Sequence, residues 1–361
     1  MRRKNPDRNE RPPGELEALR SIGEGFPVRP FRVANRQLKP GARAGVWGSP
    51  DATIELEWEG QRQRFAVEYK SPGTPKQVAL ALQQVRRHTA DDAALAPLIV
   101  APYLRQDVLE QLIDERVSGI DLSGNYAVVV PGRWLVVRTG SQNRYPSSAP
   151  IKNVYRGKSS LIARALMLKG RFESASAIMH DVAEFGPVSR PTVSKVLTSL
   201  EEELIIERTD GIRVIQPDRL LDNLVANYEA PDERGRQGGR IGLSATIAER
   251  VNENATVGGV TYAADSPAQY TVLPSSAPTT RIYTLSIETL LGGIELDTTS
   301  RFPDVDLIQT TDRTVLYGRQ RRGALYWTSP LQVYLELAAG GKREQQAAMQ
   351  IRADLLAFKY Q

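Results

Sequence analysis

The eight residues RFAVEYKS, numbers 64–71, decide how the amino-terminal part of the chain is interpreted. Their alternation of apolar and polar side chains predicts a strand. Because a strand alternates its faces, one side is apolar and the other carries an acid beside an amine. The apolar side holds Phe65, Val67 and Tyr69, and the other side holds Ala66, Glu68 and Lys70. The second face is either a solvated surface or a pair of groups arranged for chemistry.

The sequence around this strand alternates between strand-like and helix-like segments, which predicts an α/β layer with partly parallel strands. Glu59-Gly60 lies between two strand-like runs and predicts a hairpin turn. Helices are predicted over 14–22, 74–90 and 105–117, and further strands over 52–60, 96–103, 119–130 and 133–140.

Glu68-Tyr69-Lys70 matches the E-x-K half of the PD-(D/E)xK nuclease motif. That fold uses a helix, a strand hairpin, a helix and a strand in this order, and it needs an acidic residue on the preceding strand. Glu55 is predicted nearly opposite Glu68 in the hairpin, and Asp51 is a second candidate. Gln84, four residues before His88, resembles the Q-x-x-x-Y that follows E-x-K in RecB-like nucleases. The amino-terminal domain is therefore predicted to be restriction-endonuclease-like.

The chemistry that this motif implies is metal-assisted hydrolysis of a phosphodiester. Asp51, Glu55 and Glu68 are the predicted oxygen ligands of Mg²⁺. Lys70 is predicted to orient the attacking water and to stabilise developing charge. The motif makes Glu55, Glu68, Lys70 and Gln84 the catalytic candidates. The alternatives are a Glu–Lys pair on a solvated strand, or a degenerate site kept for DNA contact, so enzymatic activity stays open.

The composition limits the other function classes. The chain has no cysteine and only two histidines, His88 and His180, which argues against a zinc enzyme. It has neither a long apolar run nor a signal-peptide core, which predicts a cytoplasmic protein without a membrane partner. Residues 1–50 carry eleven Lys/Arg against five Asp/Glu, within a total net charge of +5. Residues 1–13 are predicted to be a flexible basic arm that either lies along phosphates or is simply solvated.

The middle of the chain predicts a winged helix-turn-helix. Ser189 is a suitable helix N-cap, and apolar residues follow at helical spacing, which leaves a polar outer face. Asp210-Gly211 between two strand-like runs predicts the hairpin of the wing. The residues predicted to contact DNA are Ser189, Arg190, Thr192, Ser194, Lys195 and, on the wing, Arg213. A helical module used for protein contacts is the alternative.

Linker-like composition divides the chain. The predicted parts are the arm at 1–13, the α/β domain at 14–140, a linker at 141–159, the winged helix at 160–228, a linker at 229–240 and a C-terminal α+β domain at 241–361. The last domain is interpreted as nucleotidyltransferase-like or partner-binding. Gly259 and the pair Asp304 and Asp306 suggest the former, although a strand end explains the two aspartates more simply. A Gly340-Gly341 pair predicts a break in its long terminal helix.

Several of these segments together resemble the AbiEi-like proteins, helix-turn-helix regulators often described as antitoxins of type IV toxin-antitoxin systems. The resemblance rests on FAVEYKS, GIDLSGNYAVVV, IRVIQPDRLLDNL and SPLQVYLELAAGG, and it covers most of residues 50–361. It implies sequence-specific binding of double-stranded DNA without a cofactor, transcriptional repression and a nucleotidyltransferase-like toxin as partner. A palindromic operator would require a homodimer. The rival functions are a Mg²⁺-dependent nuclease that the winged helix targets, and a protein-binding module that neutralises a toxin.

Overall fold

The computed structural model describes residues 11–22, 28–38, 49–90, 92–146, 153–242, 245–271 and 279–357. The chain is a mixed α/β protein that divides into two compact units, residues 1–150 and 151–361. The boundary falls inside the predicted linker 141–159. Residues 1–10 of the predicted basic arm lie outside the described residues.

The first unit is built around a seven-stranded sheet in which the strands follow each other in chain order. Its elements are α1 (Glu15–Ser21), β1 (Arg32–Leu38), β2 (Ala52–Trp58), β3 (Gln61–Tyr69), α2 (Pro75–Ala90), β4 (Leu95–Ala101), α3 (Gln106–Asp114), β5 (Ser118–Asp121), β6 (Tyr126–Val130) and β7 (Trp134–Arg138). The pairs β3–β4 and β4–β5 are parallel and the other four pairs are antiparallel. The expectation of a partly parallel sheet is therefore confirmed.

The hairpin between β2 and β3 turns where the sequence predicted it. Trp58 pairs with Gln61, so that Glu59 and Gly60 form a two-residue turn. Both turn residues have positive φ, at 50° and 75°. Such a turn matches the twist of the flanking strands and fixes their register.

The sheet of the first unit carries a separate apolar core on each face. Phe65 and Val67 belong to the core on one face, together with Ile54 and Leu98. Ala66 belongs to the core on the other face, where α2 and α3 pack. Glu68 follows Ala66 by two residues, so its side chain leaves β3 toward the helix-covered face. That face is buried, and the interpretation of a solvated strand face is wrong.

Two features of the first unit differ from the prediction. Strand β1 was not predicted, because its residues are mostly exposed and lack a clean alternation. The predicted strand 119–130 divides into β5 and β6 at a turn that Asp121 stabilises. Its Oδ1 accepts hydrogen bonds from the backbone N–H groups of Ser123 at 2.9 Å, Gly124 at 2.7 Å and Asn125 at 2.8 Å. Such Asx turns compete with continued strand pairing.

The second unit begins with four helices and a small sheet. Its first elements are α4 (Gly157–Lys169), β8 (Arg171–Phe172), α5 (Ala175–Val182), α6 (Arg190–Glu202), β9 (Ile206–Glu207), β10 (Ile212–Val214) and α7 (Pro217–Ala226). The three strands pair in the order β8-β10-β9. Gly211 in the β9–β10 turn has a φ of 77°, which a residue with a Cβ rarely adopts. The predicted helix, turn, helix and hairpin are all present.

A six-stranded sheet with helices follows in the same unit. Its elements are β11 (Gly235–Gly239), α8 (Ala245–Val257), β12 (Tyr262–Asp265), β13 (Thr280–Thr284), α9 (Ile287–Leu291), β14 (Val305–Gln309), β15 (Gln320–Arg322), β16 (Leu325–Trp327), α10 (Pro330–Ala338) and α11 (Lys342–Ala357), with short 3-10 helices at Pro267–Gln269 and Arg313–Leu316. The strand order is β11-β14-β13-β12-β16-β15. The break between α10 and α11 falls at Gly340-Gly341, as predicted.

The predicted division at 229–240 is wrong in two respects. Residues 235–239 form β11, which pairs along its length with β14 and is therefore part of the sheet. The four helices α4 to α7 also share one apolar core with α10 and α11. Because that shared core crosses the predicted boundary, residues 160–228 and 241–361 belong to one unit. In the part of the chain that the structure describes, no helix is long and apolar enough to cross a membrane.

Candidate functional site

Glu68 and Lys70 stand at the end of β3, where the chain leaves the sheet. Glu68 is only 3% exposed, which is unusual for a glutamate. The backbone N–H of Lys70 donates to the carbonyl of Val100 in the parallel neighbour β4 at 2.9 Å. The residues are therefore fixed by pairing with β4, whereas the pairing of β3 with β2 ends at Val67. We refer to Glu15, Asp51, Glu68, Lys70 and His88 as the acid–amine cluster.

Both carboxylate oxygens of Glu68 are held by basic groups. Lys70 Nζ donates to Oε2 at 3.2 Å, and His88 Nε2 lies 3.0 Å from Oε1. His88 comes from the last turn of α2, which packs over this face of the sheet. Gln84 is exposed one turn earlier on the same helix. Of the two residues in the predicted Gln–His motif, the histidine is the one that contacts Glu68.

Asp51, and not Glu55, is the acid beside Glu68. Ala52 pairs with Val67, so Asp51 is next to Glu68 in the hairpin register. Asp51 Oδ2 accepts a hydrogen bond of 2.9 Å from the backbone N–H of Tyr69. Glu55 pairs with Arg64 instead and lies 3.6 Å from the guanidinium of Arg62. The expectation that Glu55 lies nearly opposite Glu68 is therefore wrong. The two-residue turn pairs it with Arg64, four residues before Glu68, so the structure does not bring this predicted metal ligand and catalytic residue to Glu68.

Glu15 is a member of the acid–amine cluster that the sequence analysis missed. It lies in the first turn of α1 and is exposed. Partial burial raises its pKa, the negative charge of Asp51 raises it further, and the positive charge of Lys70 opposes both effects. The sequence did contain a signal for this residue, because Glu15 is an acid in the first turn of the helix that precedes the β2–β3 hairpin. Its distance of 36 positions from Asp51 concealed this electrostatic interaction.

Burial dominates the electrostatics of Glu68. Loss of solvent raises the pKa of its carboxyl group from 4.5 to about 7, with a further rise from the charge of Asp51. The charge of Lys70 and its hydrogen bond act in the opposite direction. Strongly shifted carboxyl groups with a defined charge partner are more frequent at functional sites than elsewhere. Glu68 in the acid–amine cluster meets this condition, and the side chains of Lys70 and His88 converge on it.

The donor set of this cluster suits a hard cation. Asp51 and Glu68 offer carboxylate oxygens, and Mg²⁺ is commonly held by one or two carboxylates together with waters and phosphate oxygens. Among the residues that the structure describes, no group of three or more His, Asp or Glu side chains is arranged to hold a metal. Any metal here would therefore take carboxylate ligands from Asp51 and Glu68 and its other ligands from backbone carbonyls, water or phosphate.

Helix α6 is the second candidate site. Ser189 caps it by accepting a hydrogen bond from the backbone N–H of Thr192 at 3.3 Å, and its hydroxyl lies 2.9 Å from that of Thr192. One side of the helix is buried: Val193, Val196, Leu197 and Leu200 belong to the core. The opposite side exposes Arg190, Ser194 and Lys195, and Thr192 is half-buried. Arg190 and Lys195 form no salt bridge with any residue that the structure describes.

The β9–β10 hairpin is less basic than its sequence suggests. Arg213 is exposed, but its Nε donates to Glu207 on the paired strand at 2.9 Å. Arg171 pairs with Asp210 at 2.9 Å, and Arg208 lies 3.6 Å from Glu201. Each of these arginines therefore has a carboxylate partner. The predicted phosphate contact of Arg213 would require that its ion pair with Glu207 be broken or shared.

The aspartates that suggested nucleotidyltransferase chemistry have structural partners. Asp304 accepts hydrogen bonds from the backbone N–H groups of Ile241 at 2.7 Å and Gly242 at 2.5 Å. Asp306 on β14 pairs with Arg236 through two hydrogen bonds, of 2.9 and 2.6 Å. Both residues stand at the start of β14, as the simpler interpretation expected.

A comparison of the chain with protein families, with curated proteins and with solved structures finds no match in any of the three.

Proposed function

We propose that the protein binds double-stranded DNA sequence-specifically and that residues 160–228 act as a winged helix-turn-helix. The observation that carries this proposal is the outer face of α6. Arg190 and Lys195 are exposed there, and neither forms a salt bridge with a described residue. A helix of this size fits the major groove, where arginine, lysine and hydroxyl side chains recognise base edges and phosphates.

The contacts within this face assign different roles to its residues. Ser189 and Thr192 are joined in the helix cap, so their main role is to hold the amino-terminal end of α6 in place. Arg190, Ser194 and Lys195 are available for the duplex. The resemblance to AbiEi-like proteins supports repression of the protein's own operon as the biological role.

A binding assay with paired charge variants tests this proposal. The full-length chain is titrated onto a duplex from the region upstream of its own gene and onto a scrambled duplex of equal length. We expect preference for the first duplex, and we expect Arg190→Ala with Lys195→Ala to remove it. The control is Lys342→Ala with Arg343→Ala, which removes the same charge from an exposed part of α11. Equal binding by the α6 variant and the control would refute the role of α6.

A second candidate function is Mg²⁺-dependent hydrolysis of phosphodiesters. It is favoured because the side chains of the acid–amine cluster converge on Glu68. The order α1, β1, β2, β3, α2 and β4 is that of endonuclease-like domains, and the cluster lies at the end of β3. Asp51 and Glu68 would hold the metal, which would supply an activated water and neutralise phosphate charge. The ammonium of Lys70 would stabilise the charge that develops on the phosphate. His88 and Lys70 would keep Glu68 in position.

Cleavage of supercoiled plasmid in Mg²⁺ or Mn²⁺ tests the nuclease function. We expect Lys70→Ala and Asp51→Asn to abolish cleavage. Glu55→Gln is a matched control, because it removes an acid from the same strand pair but away from Glu68. Absence of cleavage by the wild-type chain, or loss of activity in the Glu55 variant but not in the Asp51 variant, would contradict this function.

A further inference from the structure

The segment that leads into the β15–β16 hairpin is fastened to the end of α5. Arg313 Nη1 donates to the carbonyl of Glu184 at 3.3 Å, just beyond the end of α5. The hydroxyl of Tyr317 donates to the carboxylate of Asp181 on the same helix. Arg319 Nη2 lies 3.4 Å from the carboxylate of Glu184. These contacts hold the start of the hairpin beside the turn that connects α5 with α6.

The hairpin itself is short and anchored at its base. Arg322 pairs with Leu325, which leaves a two-residue turn in which Gly323 has a φ of 63°. Leu325 is buried, and the guanidinium of Arg319 stacks 4.5 Å from the ring centre of Tyr326. The indole N–H of Trp327 donates to the carbonyl of Arg322 at 3.1 Å. The anchored base gives the tip a defined position.

The tip of the hairpin carries positive charge that the described residues do not neutralise. Gln320, Arg321 and Arg322 are all exposed. Arg322 stacks 4.5 Å from the ring centre of Tyr270 and donates to the carbonyl of Gln269, neither of which is an acid. Arg321 forms no salt bridge with a residue that the structure describes, whereas Arg319 is paired with Glu184. The tip therefore keeps two charges, on Arg321 and Arg322.

We propose that Arg321 and Arg322 bind the phosphate backbone of the DNA that flanks the site contacted by α6. This inference rests on the proposed DNA-binding function. In helix-turn-helix proteins the first helix crosses the DNA backbone while the second enters the major groove. The corresponding first helix is α5, and the segment that leads directly into the hairpin is fixed to the end of that helix. Its charge complements a polyanion, and the fixed base positions the charge without new folding on binding.

The salt dependence of binding tests this inference. Each lost phosphate contact makes the slope of log K against log[salt] less steep by about 0.9. For Arg321→Ala with Arg322→Ala in the full chain, we therefore expect a slope that is less steep by about 1.8 and a loss of about tenfold or more in affinity near 0.1 M salt. The same pair changed to lysine keeps its charge and should restore the slope. The control is again Lys342→Ala with Arg343→Ala.

Two outcomes would overturn the inference. In the first, the wild-type chain binds its duplex, and the double alanine variant shows the same slope of log K against log[salt] as the wild type. This outcome leaves the α6 proposal intact. The other is failure of the wild-type chain to bind any duplex, which removes the proposed function as well. Because Arg322 stacks on Tyr270, Arg321→Ala alone serves as a second variant that leaves this stacking in place. It should make the slope less steep by about 0.9.

Discussion

Replacement of Glu68 by glutamine should remove a specific part of the pH dependence of stability. In the folded protein the pKa of Glu68 is about 7, against an ordinary value of 4.5. Between these two values the folded state binds more protons than the unfolded state. Stability therefore falls as the pH rises through this interval, and it is constant with respect to this group below and above it.

The size of this effect follows from the interval. At 1.36 kcal/mol for each pH unit, the span from 4.5 to about 7 corresponds to about 3 kcal/mol. The side chain of Glu68 is only 4% exposed, so solvent screening does not reduce this value substantially. For a unit of about this size, 3 kcal/mol corresponds to a change of about 6–12 °C in melting temperature.

Thermal unfolding of the full chain at pH 5 and pH 8 measures the effect. The amide introduced by Glu68→Gln is neutral at both pH values, and its oxygen could still accept the hydrogen bond from Lys70. We expect the fall in melting temperature of the amino-terminal unit between pH 5 and pH 8 to be smaller in Glu68→Gln than in the wild type. Glu110→Gln, which changes an exposed glutamate on α3, should leave the wild-type pH dependence intact. If Glu68→Gln behaves like this control, Glu68 does not titrate in the interval and the argument from burial fails.

Three further predictions concern the second unit. In a filter-binding assay, Arg213→Ala should leave the slope of log K against log[salt] almost unchanged, because Glu207 already neutralises this residue. Lys195→Ala should make the same slope less steep by about 0.9. Leu197→Ala should lower the free energy of unfolding by about 2–5 kcal/mol in urea titrations, because the side chain is fully buried in the shared core; a smaller loss would mean that the core relaxes around the cavity. Gly211→Ala should cost about 1 kcal/mol or more in the same assay, since φ is 77° and a Cβ would lie 2.8 Å from the carbonyl of Phe172; an unchanged midpoint would contradict the strain.

The acid–amine cluster shows how much of a site can be predicted by counting residues along two paired strands. The sequence predicted the turn at Glu59-Gly60 and the strand that contains Glu68. A two-residue turn pairs Trp58 with Gln61, so counting outward puts Asp51 beside Glu68 and Glu55 beside Arg64. Once the length of the turn was fixed, the sequence was therefore sufficient to predict that Asp51 lies beside Glu68. The position of Glu15 could not be predicted in this way, because no local rule relates α1 to the end of β3.

The second unit shows the same division between local and distant interactions. The cap at Ser189, the apolar stripe of α6 and the break at Gly340-Gly341 are local features, and the sequence predicted them. The strand at 235–239 was missed because a glycine-rich, charged segment has no apolar alternation. It becomes a strand because β14 supplies its hydrogen-bond partners. Similarly, only the paired hairpin brings Glu207 to Arg213.

By itself, the sequence determined the hairpin turn at Glu59-Gly60, the cap and apolar side of α6, and the break at Gly340-Gly341, because these features depend on residues a few positions apart. The tertiary structure decided that Glu68 is buried between Lys70 and His88, that Asp51 and Glu15 join it, and that residues 160–228 and 241–361 share one core. Those outcomes depend on strand register and helix packing between residues far apart in the chain, which no short segment of sequence encodes.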